Sequence, residues 1–180
     1  MTRDKALLLW NGRTLLDHTL SRLREVCDSV RILCGPEPRY GETAVPVDLD
    51  AVPGAGPLGG VCGGLAGLKD GGIGLFLAID LPLVPPALLS RLLVLSPGFD
   101  AVVPVTAAGP EPLCAVYRAS CLESVRRRLE AGERKMTCFW ADVRVREVSE
   151  AELADLGDPA KLFANVNTPE DFANVEEPSS

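Results

Sequence analysis

Three places in this chain combine residue types with spacings that can do chemistry. The first is Asp80, which closes the apolar run "GLFLAID" and is followed at once by Leu81 and Pro82. A carboxylate where a strand ends and the chain is forced away can hold a hard cation such as Mg²⁺ through one oxygen, leaving other positions for phosphates and water. The same position also suits a helix cap or a turn aspartate. The second is "DAVPGAGPLGG", whose glycines let a ligand approach the backbone and whose Asp50 can accept hydrogen bonds from a nucleobase edge or a ribose hydroxyl. Tight helix–sheet packing alone would equally account for those glycines. The third is Lys5, just ahead of Ala6-Leu7-Leu8-Leu9. A phosphate-handling lysine normally follows a strand and a glycine-rich turn, because backbone N–H groups there share the anion's charge. Lys5 is therefore either an ordinary surface charge or part of a site whose beginning lies in front of it.

Other residues carry less. His18 is the one histidine, so a histidine-based triad has little support. Arg126, Arg127 and Arg128 read as the solvated face of a helix. The six cysteines stand mostly in apolar company and none has C-x-x-C spacing, as expected of free thiols in a reducing cytosol. The net charge of −7 argues against a nucleic-acid or anionic-membrane surface, which needs a basic patch. No signal-peptide core is evident, and "LPLVPPALLSRLLVL" is too broken by Pro, Ser and Arg to span a bilayer. A cytoplasmic location is expected.

The elements that must position these residues alternate between strand and helix. Asn11-Gly12 is a tight-turn signal. Leu15, Leu16, Leu20 and Leu23 recur at helical spacing. "SVRILC" and "TAVPV" read as strands, and "GPLGGVCGGLAGLKD" as a helix entered through glycines. "GIGLFLAID" reads as a strand buried on both faces. Pro85 and Pro86 start the next helix, and "DAVVPV" and "LCAVYR" are two strands joined around "TAAGPEP". Glu123 and Arg127 stand at i,i+4 on a further helix, "DVRVREV" alternates like an edge strand, and Thr168-Pro169-Glu170-Asp171 is a helix start. A three-layer α/β sandwich around a mostly parallel sheet follows. One domain is expected over residues 1–175, with 176–180 a frayed tail.

Taken in order, "DKALLLWNGRTLLDH", "DAVPGAGPLGGVCGGL", "FLAIDLPLVPPALL", "EPLCAVYR", "LEAGERKM" and "FANVNTPEDFA" resemble the successive blocks of the molybdenum cofactor guanylyltransferases. The resemblance implies a Rossmann-like sandwich of the nucleotide-diphospho-sugar-transferase type, and a Mg²⁺-dependent transfer of GMP from GTP to molybdopterin-bound molybdenum cofactor with release of pyrophosphate. Transient contacts with molybdoenzymes or cofactor chaperones go with that activity. It further implies that Lys5 contacts the nucleotide phosphates, that Asp50 serves the guanosine, and that Asp80 binds Mg²⁺ and GTP. Asn165 and Asn167 would lie on the pterin side. The chain departs from the family at the front. There the resemblance implies a first strand leading into L-A-G-G-x-S-x-R-M-G, with Met1 on that methionine and Thr2 in place of the final glycine. A strand and a phosphate loop are therefore expected upstream of Lys5. The alternatives are a cytidylyltransferase of the same fold and a non-catalytic binding module.

Overall fold

The computed structural model describes residues 4–35, 37, 39–40, 45–50, 52, 54–166 and 171. The described residues open with a single helical turn, Lys5–Leu7, capped by Asp4 accepting from the Ala6 N–H at 3.0 Å. A two-strand hairpin follows, β1 (Leu9–Trp10) and β2 (Arg13–Thr14). Asn11 and Gly12 turn it with φ of 48° and 77°, the left-handed pair that this turn requires. Thr14 and Asp17 then form a capping box that opens α1 (Leu15–Arg24). Its leucines at 15, 16, 20 and 23 are buried, as their spacing demands.

Next come β3 (Ile32–Leu33) and β4 (Val47–Asp48), paired parallel. α2 (Pro57–Ala66) starts behind Gly56, whose φ of 61° suits glycine, with Pro57 at its first position. The remaining elements are β5 (Ile73–Leu77), α3 (Pro86–Val94), β6 (Ala101–Thr106), β7 (Gly109–Pro110), β8 (Cys114–Arg118), α4 (Leu122–Glu130), β9 (Val145–Ser149), α5 (Glu150–Leu153) and α6 (Pro159–Leu162). β5 pairs β8, β8 pairs β6 and β6 pairs β9, so β8 is the antiparallel strand in the middle of a mixed sheet. The parallel relation expected from the alternation holds for β3–β4 and for β6–β9.

Strand alternation divides the core into two apolar layers. Val102, Cys114 and Val116 face one way, onto α3 and Leu23. Ala101, Val103, Ala115 and Tyr117 face the other, onto α2 and α4. Tyr117 and Phe139 are fully buried with ring centroids 5.8 Å apart. All six cysteines are free thiols. Burial pushes the Cys121 thiol up to about 11, so it stays protonated.

Three sequence expectations change. β5 is not buried on both faces: Ile73 is 40% exposed and the rest of the strand is half-buried. Apolarity reports the tendency to be buried, whereas burial itself needs a neighbour, and β5 has one on the β8 side only among the described residues. Arg127 turns to Ser124 at 3.2 Å and Asp142 at 3.7 Å. Arg126 and Arg127 are exposed, as a solvated face requires, whereas Arg128 is half-buried and grips Asp142 and Glu133, tying α4 to the segment before β9. The helix start at Thr168 and the tail lie outside the described residues, although Asp171 itself is helical.

Asp100 fastens the start of β6. Arg144 donates to it at 3.1 Å and Ser120 at 2.9 Å, and the arginine in particular holds its carboxyl down at about 2. A carboxylate held below its unfolded value stabilises the fold above the unfolded pKa and loses that contribution as pH falls toward the folded one. Asp100→Asn should therefore lower stability by about 1 kcal/mol at pH 7, solvent around the exposed arginine keeping the effect small. The difference from wild type should shrink between pH 4 and pH 2 in urea titrations; a pH-independent deficit would remove the ionic interpretation.

Candidate active site

Asp50 follows β4 and Asp80 follows β5, the strand ends where ligands usually sit in sheets of this kind, and Asp50 lines the same cavity as Ile79, the residue before Asp80. Asp80 lies just past β5, in a turn closed by the Leu81 N–H donating to the Ala78 carbonyl at 3.4 Å. Its own carbonyl accepts from the Val166 N–H at 2.9 Å. That bond fixes Val166 beside the strand end, with Asn165 exposed next to it. Asn167 lies outside the described residues.

Glu111 is the residue that sequence reasoning missed. It is half-buried on the loop between β7 and β8, where its N–H donates to Pro104 at 2.9 Å and its carbonyl accepts from Cys114 at 3.0 Å. Burial raises its carboxyl pKa, and the negative charge of Asp80 raises it further. Two carboxylates from distant parts of the chain thus stand within electrostatic reach of each other. The "EPLCAVYR" block held the signal, since an acid directly before a buried strand faces the same rim as Asp80.

Lys5 is exposed on its helical turn. The neighbouring Ala6 is buried in one cluster with Ile32 and Cys34, against which Ile79, the residue before Asp80, also packs. Packing of one alanine therefore places Lys5 at the same rim. Tyr40 supports that turn, its hydroxyl donating to Asp4 at 3.3 Å, and has a pKa raised by burial and then by the Asp4 charge. No sequence signal marked Tyr40, which lies in a stretch without periodicity.

Asp50 sits across the opening. Its N–H donates to Gly35 at 3.0 Å, and its carboxylate rests on the first turn of α2, where a Cβ on Gly60 would meet Oδ1 at 3.3 Å. Glycine at that position leaves space for the acid. His18 belongs elsewhere: Nε2 bonds the Trp10 carbonyl at 2.9 Å and its ring packs on Trp10, fastening the hairpin to α1.

A hard divalent cation takes one or two carboxylates together with substrate oxygens and water. Asp80 and Glu111 meet that requirement in kind. Among the described residues no group of three or more His, Cys, Asp and Glu side chains gathers into an all-protein cage. No helix is long and apolar enough to cross a membrane among those residues.

Comparison with known proteins agrees with this arrangement. The MobA-like NTP transferase domain matches residues 1–146. A probable molybdenum cofactor guanylyltransferase of Pelotomaculum thermopropionicum is 35% identical, over 97% of this chain and 85% of its own. A molybdenum cofactor guanylyltransferase of Desulfosudis oleivorans is 32% identical over 96% and 86%. In three dimensions the chain resembles molybdopterin-guanine dinucleotide biosynthesis protein A of Archaeoglobus fulgidus, with TM-score 0.78 and 25% identity over 96% of this chain and 88% of the other. At 18% identity and TM-score 0.69, 2-C-methyl-D-erythritol 4-phosphate cytidylyltransferase of Thermus thermophilus shares the fold, over 95% and 91% of the two chains. With the acids at the strand ends and this match across most of its length, the chain belongs to the MobA-like NTP transferase family.

Proposed function

We propose that this chain transfers GMP from GTP to the terminal phosphate of molybdopterin-bound molybdenum cofactor. The observation that carries this reading is the Val166–Asp80 hydrogen bond, which joins the Asn165 segment to the acidic strand end. An acceptor held by one and a nucleotide held by the other would meet between them. The names of the relatives support guanine over cytosine.

The nucleophile is a phosphate monoester with a second pKa near 6, largely ionised at pH 7, so no general base is needed. Its oxygen forms a new bond to the α-phosphorus of GTP while the bond to the bridging oxygen breaks and pyrophosphate leaves. The work left to the protein is alignment of two anionic groups and cancellation of their repulsion. Lys5 supplies a cation at the rim and Asp50 orients the nucleoside. Asp80, with Glu111 beside it, would hold a divalent ion, Mg²⁺ by preference. When bound, that ion neutralises phosphate charge and templates the displacement. Manganese accompanies one structural neighbour, a Mycobacterium tuberculosis protein at 20% identity. Contact with the molybdoenzymes or chaperones that receive the product would be transient.

GTP with Mg²⁺ should raise the melting temperature and CTP should not, because a ligand that binds only the folded state stabilises it by mass action. Equal or greater stabilisation by CTP would reverse the assignment. Lys5→Ala should weaken GTP binding about 10-fold, the scale of one charge-assisted contact. It should leave stability nearly unchanged, as exposed substitutions do. Unaltered GTP affinity in calorimetry would return Lys5 to the ordinary surface.

A further inference from the structure

Both oxygens of the Asp4 carboxylate are engaged from a segment some 36 residues further along the chain. Oδ1 accepts from the Ala6 N–H at 3.0 Å and from the Tyr40 hydroxyl at 3.3 Å. Oδ2 lies 3.7 Å from a guanidinium nitrogen of Arg39. The Ala6 bond is the cap of the turn Lys5–Leu7, so two consecutive remote side chains hold the cap of the turn that bears Lys5. Burial and then the Asp4 charge raise the Tyr40 pKa, and the hydroxyl therefore keeps its proton and donates.

Tyr40 reaches this place in an uncommon backbone conformation. Its φ is 68°, in the left-handed region, which among the described non-glycine residues only Asn11 of the hairpin turn shares. Asparagine visits that region readily, whereas for a bulky side chain it is an outlier that persists only where the surroundings over-determine it. Two sets of contacts do so. On an extended chain, neighbouring side chains point to opposite sides, and the left-handed residue instead brings Arg39 and Tyr40 to one carboxylate. The tyrosine ring meanwhile packs against the cluster of Ala6, Ile32 and Cys34. Strain of this kind gathers where geometry serves a site.

A helical turn of three residues does not hold itself together, because helix nucleation is unfavourable and short helices are marginal in water. The stem of a lysine is flexible, so the backbone that bears Lys5 sets where its ammonium can reach. We propose that Tyr40 is a positioning residue for Lys5: its hydrogen bond to Asp4 fixes the turn, and the turn presents the ammonium to the phosphates of the nucleotide. A charge already in place needs no reorganisation when the anion arrives, which is why the support beneath it matters. This role rests on the reading of Lys5 as a phosphate contact.

Tyr40→Phe removes the hydroxyl and keeps the ring. Without nucleotide, the Ala6 and Leu7 amides of this variant should exchange about 10-fold faster, with the melting temperature within about 2 °C of wild type. With Mg²⁺ present, GTP should bind about 5-fold more weakly, the scale of one lost hydrogen bond. In turnover the loss should fall on KM for GTP and leave kcat at saturating GTP unchanged. On a Lys5→Ala background the same change should weaken GTP no further, because the two residues act as one unit. Additive losses overturn the proposal, since Tyr40 would then act without Lys5. So does unchanged amide exchange, or unchanged GTP affinity, in Tyr40→Phe. A large fall in melting temperature overturns it as well, by making the tyrosine a support of the whole fold. Absence of GTP binding in the wild type would instead overturn the functional reading, and the exchange comparison, which needs no nucleotide, would still decide whether Tyr40 holds the turn.

Discussion

Asp80→Asn is expected to reduce metal-dependent turnover about 10²-fold or more, the cost of removing one preorganised electrostatic contact at a reacting phosphate. The fold should survive, because the residue is half-buried beyond the strand end and its backbone carbonyl, which asparagine keeps, makes the bond to Val166. Loss of the charge should also relax Glu111, whose carboxyl is raised by burial first and by Asp80 second. The fall should appear in kcat at saturating GTP, with the melting temperature nearly unchanged. Wild-type turnover at saturating GTP would take Asp80 out of the metal role. A collapse of the melting temperature would instead reveal a structural one.

Phe139→Ala should produce the largest loss of stability, about 3–5 kcal/mol for a fully buried aromatic, equivalent to a fall on the order of 10 °C in a domain of this size. Phe139 packs on Tyr117, which packs in turn on Phe76 at 5.6 Å. The Tyr117 hydroxyl donates to the Pro112 carbonyl at 2.9 Å, next to Glu111. The aromatic stack is therefore joined to the acidic rim by one hydrogen bond, and its loss should loosen the Glu111 loop as well. Urea titration should show a lower midpoint with an unchanged slope. A change under about 1 kcal/mol would mean that the cavity collapses and that the stack anchors nothing.

Composition and local pattern were enough to read most elements. The capping box at Thr14, the turn at Asn11-Gly12 and the helix behind Gly56 are set by residues within a few positions of one another. Asp80 was legible for the same reason: an apolar run followed by Leu-Pro marks a strand end, and a strand end is where a carboxylate can meet a ligand. The family blocks in their order then selected one chemistry from several.

What the tertiary structure alone decided depends on residues far apart in the chain. Glu111 approaches Asp80 only because β8 pairs antiparallel with β5, which carries the acid before one strand to the end of the other. Asn165 stands at that place through a single backbone bond to Asp80. Asp50 rests on α2 because Gly60 makes room for its carboxylate. Lys5 reaches the rim through burial of the alanine beside it. The burial of β5 was misread for the same physical reason. Hydrophobic periodicity states which side chains favour leaving water, but the neighbours that cover Leu33, Leu75 and Leu77 are set by pairing between distant parts of the chain. Local sequence carries propensity, whereas burial, pairing and shifted charge are properties of neighbours, and only the folded chain supplies those.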